Sequence, residues 1–534
     1  MPLADRIGQM IMVRYPDTDI LEKMLAAGHA GSFYFGMKGK PAQEVAETLN
    51  RLQGMAKYPQ LVAFGSACTT CGAGLLQGGH MRIGATRSPD IAYRLANIET
   101  REQRAYGFHV VDAPVLDVNT NPLNPIINTR ALGDDAGLVT RLGVQMLRGI
   151  IDGRGCTCTM HFPGHGATAD DSHIRVPVDA RGLEKLRSVD LLPYLEAIPQ
   201  GLINGLCTNH VHYSALEAGQ PAPSTVSRRV VTELLRHELG YDGVVLSDSL
   251  TMKPMKDAYG IEESAILTVL AGHDIILQDY QSDPRITHAA LVRAVRDGRI
   301  PAAQVDASVR RVMRLKQWLG LFNNRFADVE KLPEQVATQE SRQFALQVAR
   351  AAVTVLENDV IPLQVSDPSK CLVITNGSAE AWDADMGLTF LPSFEKLYRA
   401  FESRLPGVQT FTLGEGMSPA ELSEAQQRAS KAHVVVFGLF TRVLCYHEDS
   451  IGLPVQYAEL IRQVTGMGKP VVLINCGNPY VMRHLPRADA SLCTYDAECP
   501  ESMQAAVEVL FGDIRSKGKL PVRVSTEYPF GHGL

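Results

Sequence analysis

The stretch from Met160 to His173 concentrates residue types that can do acid–base chemistry. It reads MHFPGHGATADDSH and carries three histidines and two consecutive aspartates on a loop with two glycines. An imidazole titrates near neutrality, and a carboxylate close to it can orient the ring and stabilise its charged form. Any one of these histidines alone would be typical of a polar loop that caps neighbouring elements. The whole cluster, directly after a strand-like segment, favours a catalytic loop.

A nucleophile for such a loop is available at Asp248, in the segment YDGVVLSDSLTM. An apolar strand ends there, so the carboxylate can attack an electrophilic carbon at the strand end. Aspartate is the nucleophile of many retaining glycosidases, in which a second group protonates the leaving oxygen. His173 is the candidate for that second group, and Asp171 is its orienting partner. An Asx-turn with a capping histidine is the alternative interpretation of Asp171 and His173.

The elements that must position these groups alternate between short apolar strands and amphipathic helices. Eight strand–helix pairs over about three hundred residues predict an α/β fold with a (β/α)₈ barrel. An open doubly wound sheet is the alternative, but no GxGxxG turn follows the first strand. The predicted strands are Gln9–Val13, Gly31–Phe35, Leu61–Phe64, Val110–Val118, Cys156–His161, Leu206–Val211, Gly243–Ser247 and Asp274–Leu277.

Polar residues follow several of these strands, and active sites of such barrels lie at the carboxyl ends of the strands. Singly, each residue could be a hydrogen-bonded structural group, but together they predict a pocket on one face. They are Asp117, Asn119 and Arg130 after the fourth strand, His161 after the fifth, Asn209, His210 and His212 at the sixth, Ser247, Asp248 and Ser249 at the seventh, and His273 and Asp274 around the start of the eighth.

The domain organisation follows from a polar passage in the second half of the chain. We expect a (β/α)₈ barrel catalytic domain at residues 1–322, a linker at 323–345, and an α/β/α sandwich domain at 346–534. Within the second domain, strands are predicted at Ala352–Leu356, Cys371–Ile374, Val434–Gly438, Val471–Ile474 and Ala490–Cys493.

Several motifs together resemble one known family. HFPGHGATADDSH is similar to the signature loop of glycoside hydrolase family 3, in its β-N-acetylglucosaminidase branch, where the pattern is KHFPGHG followed by DSH. The resemblance extends in order through APVLDVNTNPLNPIINTRALG, HVHYSALEAGQPAPSTVS, ELGYDGVVLSDSLTM and DASVRRVMRLKQWLGL. CGNPYVMRHLP, LFGDIRSKGKLPV and the terminal YPFGHGL resemble the family's C-terminal sandwich domain.

The resemblance implies a two-step retaining hydrolysis. Asp248 matches the nucleophile, His173 the general acid/base and Asp171 its partner. Arg130 and His161 match positions that hydrogen-bond the sugar hydroxyls, and Asp117 matches a supporting acidic position. His210 joins them as a candidate substrate-binding residue. The resemblance implies no metal and no organic cofactor.

Two departures from the family pattern concern the sugar. The family's lysine before HFPGHG is Met160 here, which removes a cationic donor. The family's aspartate after the third strand is absent from GSACTTCGAGLLQGGH, where Cys68 is the residue expected in its place. A hydrogen bond to a charged group contributes about 1.5–3 kcal/mol. We therefore expect Met160 and Cys68 to face a modified or less hydroxylated amino sugar rather than plain N-acetylglucosamine.

Composition narrows the class of protein further. A net charge of −6 over 534 residues predicts neither nucleic-acid binding nor membrane binding, so the expected partner is a small-molecule glycoside. The N-terminus shows no signal-peptide pattern, and ten scattered cysteines suit reduced thiols, which predicts a cytoplasmic protein. A zinc or redox site at Cys68–Cys71 and Cys156–Cys158 is the alternative to small core residues.

Two other functions remain open from the sequence. A glycoside phosphorylase of the same family is one, because a neutral histidine acid/base tolerates an incoming phosphate better than a carboxylate does. A non-catalytic sugar-binding or scaffold homologue is the other, because the departures at Met160 and Cys68 remove polar contacts to the sugar.

Overall fold

The structure is a computed structural model that describes the chain except residues 15–17, 37–39, 65–78, 279–280, 378–380, 384–387, 391–393 and 415. The chain forms two units. The first comprises residues 1–76, 92–124 and 139–341, and the second comprises 77–91, 125–138 and 342–534. Two segments from the first part of the chain, 77–91 and 125–138, therefore fold with the C-terminal part.

The strands of the first unit are short, and most are apolar and fully buried, which is typical of a parallel sheet covered by helices. In chain order they are β1 (Ile11–Val13), β2 (Ser32–Phe35), β3 (Leu61–Phe64), β4 (Val110–Val111), β5 (Cys156–Thr157), β6 (Thr159–Phe162), β7 (Val178–Asp179), β8 (Gly205–Thr208), β9 (His212–Tyr213), β10 (Val244–Leu246) and β11 (Ile276–Leu277).

All strand pairs of this sheet are parallel, and they connect the eight predicted strand positions in sequence. One group runs β11–β1–β2–β3–β4–β5 and the other runs β6–β8–β10. Parallel bridges from Val115 to Met160 and from Leu246 to Ile275 join the two groups at both ends. Since β5 and β6 are successive parts of one predicted strand, the sheet curls until its last strand pairs with its first. The predicted TIM-like fold is confirmed.

Helices cover this sheet, with their apolar positions at helical spacing facing the strands. In chain order, the α-helices up to residue 335, of which α4 belongs to the second unit, are α1 (Leu3–Gln9), α2 (Thr18–Ala27), α3 (Ala42–Met55), α4 (His80–Thr86), α5 (Pro89–Tyr106), α6 (Ala136–Asp152), α7 (Leu183–Lys185), α8 (Leu192–Ala197), α9 (Lys253–Ala271, interrupted at Gly260), α10 (Pro284–Arg296), α11 (Ala302–Trp318) and α12 (Leu332–Gln335). Leu186–Asp190 and Arg229–Glu238 are π-helical, and Asn128–Arg130, Ser224–Val226 and Val329–Lys331 are 3₁₀ turns.

The second unit is built on a mixed sheet in the order β12–β19–β18–β17–β13–β16, in which β12 is antiparallel to its neighbour β19. Its strands, with a separate β14–β15 pair, are β12 (Thr354–Asn358), β13 (Cys371–Asn376), β14 (Ala381–Asp383), β15 (Leu388–Phe390), β16 (Gln409–Leu413), β17 (Val434–Leu439), β18 (Val471–Asn475) and β19 (Ala490–Cys493). Its further helices are α13 (Gln339–Ala352), α14 (Phe394–Arg404), α15 (Pro419–Lys431), α16 (Val455–Thr465) and α17 (Pro500–Leu510), with 3₁₀ turns at Pro368–Lys370 and Pro479–His484.

Each unit has its own hydrophobic core. In the second unit one cluster includes Met81 and Ala85 of α4 together with Phe437 and Leu473 from the sheet. The α4 helix is thus a structural part of the second unit, although more than two hundred residues separate it from β12. Among the described residues, no helix combines the length and the apolar character needed to cross a membrane.

Candidate active site

The site is built from loops that leave the carboxyl ends of the strands of the first unit. The first cluster surrounds Asp117, a buried carboxylate beyond β4. The His161 Nδ1–H donates to Asp117 Oδ2 at 2.7 Å, and the His161 backbone N–H donates to the same oxygen at 3.1 Å. The His165 backbone N–H donates to Asp117 Oδ1 at 2.6 Å. Asp117 therefore fixes both the His161 ring and the start of the predicted catalytic loop.

The electrostatics of this cluster keep Asp117 ionised. Burial raises the pKa of Asp117, but the charge and hydrogen bond of His161 and the contacts of His165 outweigh it, and the net pKa is lowered. Burial, together with the nearby His161, lowers the pKa of His165 to about 4. His165 is therefore a neutral ring near pH 7, held by Thr168 Oγ1 at 2.8 Å from its Nδ1.

Two glycines let the predicted catalytic loop lie close to its support. A Cβ on Gly166 would stand 2.0 Å from the Val118 carbonyl oxygen. Gly164 has a φ of +155°, and a Cβ there would stand 2.6 Å from the Asp190 Cβ. The Tyr213 hydroxyl donates to the Gly164 carbonyl at 2.6 Å. The loop therefore packs directly against the strand ends, and there is no room for a larger residue at Gly166.

The far end of the loop holds an aspartate–histidine pair. Asp171 is fully buried, and its Oδ1 accepts the His173 Nδ1–H at 2.8 Å and the His173 backbone N–H at 2.7 Å. The His173 side chain keeps 17% of its surface exposed. Because Nδ1 is engaged with the carboxylate, Nε2 is the nitrogen at which the ring gains or loses a proton. The predicted pairing of the two residues is present in the fold, together with the local backbone bond that an Asx-turn also makes.

Asp248 lies in the loop directly after β10, and its Oδ1 accepts the Ser249 backbone N–H at 2.7 Å. Two contacts join this loop to its neighbours. The Lys253 backbone N–H donates to the His173 carbonyl at 3.2 Å, and the His210 Nε2–H donates to the Ser249 carbonyl at 2.9 Å. The structure therefore brings the loops of Asp248, His173 and His210 together at one end of the sheet.

The histidines around Asp248 set its charge state. Burial raises the pKa of Asp248, but the positive charge that His210, His161 and His173 can carry, and the Ser249 N–H, lower it below its usual value. Burial lowers the pKa of His210 itself. Asp248 is accordingly a carboxylate near neutral pH, which is the form that acts as a nucleophile.

The residues after β8 serve as a buried frame for these loops. Asn209 Nδ2 donates to the His161 carbonyl at 3.1 Å and to the Tyr213 hydroxyl at 2.7 Å. Asn209 Oδ1 accepts the Ser224 hydroxyl at 2.7 Å. The Nδ1 atom of His210 lies 2.7 Å from Thr225 Oγ1, so both of its ring nitrogens are engaged with protein atoms. His210 therefore links the Asp248 loop to the residues after β8, and its contact with substrate stays a prediction.

The remaining predicted site residues lie in several separate parts of the fold. Met160 is buried, with 7% of its surface exposed, in the strand position before His161. Arg130 belongs to the second unit, where its Nη1 donates to the Ile126 carbonyl at 3.2 Å. Asp274 precedes β11 and forms ion pairs with Arg236 at 2.5 Å and Arg311 at 3.2 Å, so it does not join the group at the strand ends. Cys68 and Cys71 lie outside the described residues.

Sequence reasoning missed a buried ion cluster beneath the catalytic loop. Arg181 Nη2 donates to Asp179 Oδ2 at 2.6 Å and to Asp190 Oδ2 at 2.7 Å. Asp190 Oδ1 is buried and has no hydrogen-bond partner among the described residues. Burial, with the nearby Asp179, raises the pKa of Asp190 to about 7 against the opposing charge of Arg181. Asp190 stands in the helical run RSVDLLPY, which carries no motif that could have identified it.

The cysteines of the fifth strand position are buried. Cys156 Sγ donates to the Thr157 carbonyl, and a side-chain contact with Cys207, together with burial, raises the pKa of Cys158 well above its usual value. Buried thiols of raised pKa are poor nucleophiles and poor metal ligands. Within the described part of the chain, no group of three or more His, Cys, Asp or Glu residues has the arrangement of a metal site.

Comparison with known proteins agrees with the architecture and the motifs. Residues 2–315 match the pattern described as the glycosyl hydrolase family 3 N terminal domain, and residues 353–529 match the family's C-terminal domain. The chain belongs to glycoside hydrolase family 3, and it is an enzyme of the glycoside hydrolase class.

Three relatives illustrate the likeness. A beta-hexosaminidase A of Pseudoalteromonas piscicida is 27% identical over 490 residues, covering 84% of this chain and 79% of that protein. A beta-hexosaminidase of Bordetella parapertussis is 34% identical over 263 residues, covering 47% of this chain and 71% of that protein. The solved structure of a family 3 β-N-acetylglucosaminidase from Paenibacillus sp. strain FPU-7 superposes with a TM-score of 0.86 at 28% identity, covering 98% of this chain and 99% of that one.

Proposed function

We propose that the protein is a retaining β-N-acetylhexosaminidase that removes a terminal β-linked N-acetylhexosamine, or a related modified amino sugar, from a small glycoside. The observation that carries this proposal is the pairing of Asp171 with His173 beside the loop of Asp248. The names of the relatives in Pseudoalteromonas, Bordetella and Paenibacillus support the same substrate class.

In the first step of the proposed mechanism, an Asp248 oxygen attacks the anomeric carbon while the bond from that carbon to the leaving oxygen breaks. His173 Nε2 gives its proton to the leaving oxygen, and Asp171 stabilises the ring throughout. The product is a glycosyl ester of Asp248. In the second step His173 Nε2 accepts a proton from water, the water oxygen attacks the anomeric carbon, and the ester bond breaks. Two inversions leave the released sugar in the β configuration.

The supporting residues orient the side chains that contact the sugar. Asp117 holds the His161 ring through Nδ1, which directs the other ring nitrogen of His161 away from the carboxylate. We propose that this nitrogen contacts a sugar hydroxyl, and that Met160 faces the part of the sugar that differs from plain N-acetylglucosamine. No metal and no organic cofactor take part in these steps.

A mechanism-based label tests this proposal directly. A glycosyl fluoride that keeps the 2-acetamido group and carries fluorine at C5 slows both steps, and we expect the ester to accumulate on Asp248 and to be found there by peptide mass spectrometry. The Asp248→Asn variant should remain unlabelled and should lose at least about 10⁴-fold in kcat. Retention of configuration without a labelled peptide would contradict the covalent route and indicate participation of the substrate's own acetamido group.

The same preparation separates hydrolysis from phosphorolysis. With inorganic phosphate present, a hydrolase releases only the free sugar, whereas a phosphorylase releases the sugar 1-phosphate. We expect the free sugar. A non-catalytic homologue would show no turnover that depends on Asp248.

Eight cysteines in the described part of the chain are free thiols, most of them buried. A reducing compartment maintains thiols in that form, and we propose the cytoplasm as the place where the enzyme acts.

A further inference from the structure

A second cavity lies at the opposite end of the curled sheet from Asp248. Its volume is about 370 Å³, and its lining includes His109, which directly precedes β4, and Arg154, which precedes β5. The loop at residues 324–328 forms another wall. The catalytic loops leave the carboxyl ends of the strands, so this cavity at the amino ends is separate from the candidate active site.

The charge of this cavity is strongly unbalanced. Four arginines line it, namely Arg101, Arg104, Arg154 and Arg325, against one carboxylate, Asp328. Asp328 is paired with Lys331 at 2.9 Å. Among the described residues none of the four arginines forms an ion pair, whereas other enclosed arginines of the chain do, such as Arg236 with Asp274 at 2.5 Å. Four unneutralised guanidinium groups around one space are unusual in a chain of net charge −6.

Arg104 shows the imbalance most clearly. Its Nη2 donates to the Leu319 carbonyl at 3.3 Å, and its Nη1 is buried with no hydrogen-bond partner in the described part of the chain. Burial lowers the pKa of Arg104 to about 10, and no carboxylate of the described residues opposes the shift. An unpaired, enclosed cation is costly in free energy, and an anion in the cavity would supply the missing acceptor.

His109, which also lines the cavity, adds a hydrogen-bond donor. His109 Nδ1 accepts the Val62 backbone N–H at 3.1 Å, so the neutral ring carries its proton on Nε2 and can donate it. Burial lowers the pKa of His109, and the nearby charges of Arg104 and Lys316 lower it further. Lys316 is fully buried, with its Nζ donating to Gln9 Oε1 and to the Gly31 carbonyl at 2.7 Å each.

The size and the lining identify the kind of anion. The planar guanidinium fork matches the oxygens of a phosphate group, and several forks suit a dianion. A space of about 370 Å³ is larger than a bare phosphate needs and falls in the range of small-molecule sites. Phe326 lines the cavity with 48% of its surface exposed, and the Arg325 guanidinium lies 5.6 Å from its ring centroid. An exposed aromatic face is a platform for a sugar ring.

We propose that this cavity binds an organic phosphate monoester of the sugar phosphate class, with the phosphate held by Arg104, Arg101 and Arg154 and the sugar ring on Phe326.

Isothermal titration of the purified full chain at pH 7 and low salt tests the proposal, with glucose 6-phosphate, glucose and inorganic phosphate as probes. We expect glucose 6-phosphate to bind, and we expect glucose and inorganic phosphate to bind at least about tenfold more weakly. Arg101→Gln and Arg104→Gln should each weaken glucose 6-phosphate binding about tenfold or more. Arg141→Gln, an exposed arginine on α6 outside the cavity, is the matched control and should bind as the unaltered protein does.

Arg101 is exposed at the rim, so its variant keeps the test informative if Arg104→Gln fails to fold. Glycosidase activity of Arg101→Gln should be unchanged, because the cavity and the candidate active site lie at opposite ends of the sheet. No binding of glucose 6-phosphate at millimolar concentration would overturn the proposal. Equal affinity for inorganic phosphate would overturn it too, as would binding that is indifferent to both arginine variants.

Discussion

At the scale of single residues, the site depends on which ring nitrogens of each histidine are hydrogen-bonded to other protein groups. The Nδ1 atoms of His161 and His173 face carboxylates, at 2.7 and 2.8 Å, whereas both ring nitrogens of His210 contact protein atoms. Sequence motifs placed all three near the site without separating these roles. The tautomer of a histidine follows from its hydrogen-bond partners, and those come from elements distant in the chain.

We propose that the choice of sugar depends on Met160. We expect Met160→Lys to raise kcat/KM for an aryl N-acetyl-β-glucosaminide about tenfold or more, because a restored charged donor contributes about 1.5–3 kcal/mol to a sugar contact. Steady-state kinetics on a panel of aryl glycosides measures this effect. Met160→Leu is the control that keeps an uncharged side chain of similar size. Efficient turnover of plain N-acetylglucosaminide by the unaltered enzyme, with no gain in Met160→Lys, would refute the proposed preference.

Asp190 makes stability depend on pH. Its pKa is about 7 in the folded protein and near 3.8 in the unfolded chain, so between these values the folded state holds the extra proton. This contribution to the free energy of unfolding is therefore present in full below about pH 4 and is lost as the pH rises through 7. Its slope is at most about 1.4 kcal/mol per pH unit.

The Asp190→Asn variant removes that titration. Urea unfolding of the variant from pH 5 to pH 8 should show a weaker fall in stability with rising pH than the unaltered protein shows. Asp257→Asn, at an exposed position on α9, should leave the pH dependence as it was. Parallel curves for Asp190→Asn and the unaltered protein would show that Asp190 titrates at its usual pKa.

At the scale of elements, the predicted catalytic loop depends on its close approach to the chain beyond β4. We expect Gly166→Ala to displace the loop, because the new Cβ would stand 2.0 Å from the Val118 carbonyl oxygen. A displacement near 1 Å at catalytic groups can cost about 10²-fold in rate, and overpacking costs about 1–3 kcal/mol in stability.

The measurements are kcat/KM and the urea midpoint of the same preparation. Gly182→Ala is the matched control, because no heavy atom lies within 4 Å of its added Cβ and its φ is −70°. If Gly166→Ala and Gly182→Ala behave alike in both measurements, the loop is not held by that contact.

Elements with strong periodicity were predictable from the sequence. The strands Leu61–Phe64 and Ala490–Cys493 have the predicted bounds. The strand Gln409–Leu413 was missed because it lies at the sheet edge, where its alternating polar residues face solvent. The linker predicted at residues 323–345 contains α12 and the start of α13, in which polar residues separate the few apolar positions that pack inward.

At the scale of the whole molecule, the second unit is completed by residues from the first part of the chain. The buried Arg82 of α4 pairs with Asp496 at 3.2 Å, and the Lys519 backbone N–H donates to the Ala85 carbonyl at 3.0 Å. No local pattern in the sequence indicates this, because the partners are separated by more than four hundred residues. The burial of α4 and the ion pair of its Arg82 with Asp496 require residues from both halves of the chain.

We therefore expect that residues 342–534, expressed alone, will not unfold cooperatively. The fragment lacks Met81 and Ala85 from its core, and it leaves the buried Asp496 without its arginine, a loss of about 3–5 kcal/mol. Urea titration followed by circular dichroism measures this, with the full chain as the control. A sharp transition in the fragment, at the midpoint of the full chain, would show that α4 contributes little.

The position of α4 also has a consequence for biosynthesis. The helix leaves the ribosome about 430 residues before the segment near Lys519 that it pairs with. At about 5–20 residues per second, its apolar face waits roughly 20–90 s for that partner. Throughout that interval Met81, Arg82 and Ala85 belong to no finished core. Folding that proceeds from the N-terminus therefore leaves the second unit incomplete until the segment near Lys519 has been synthesised.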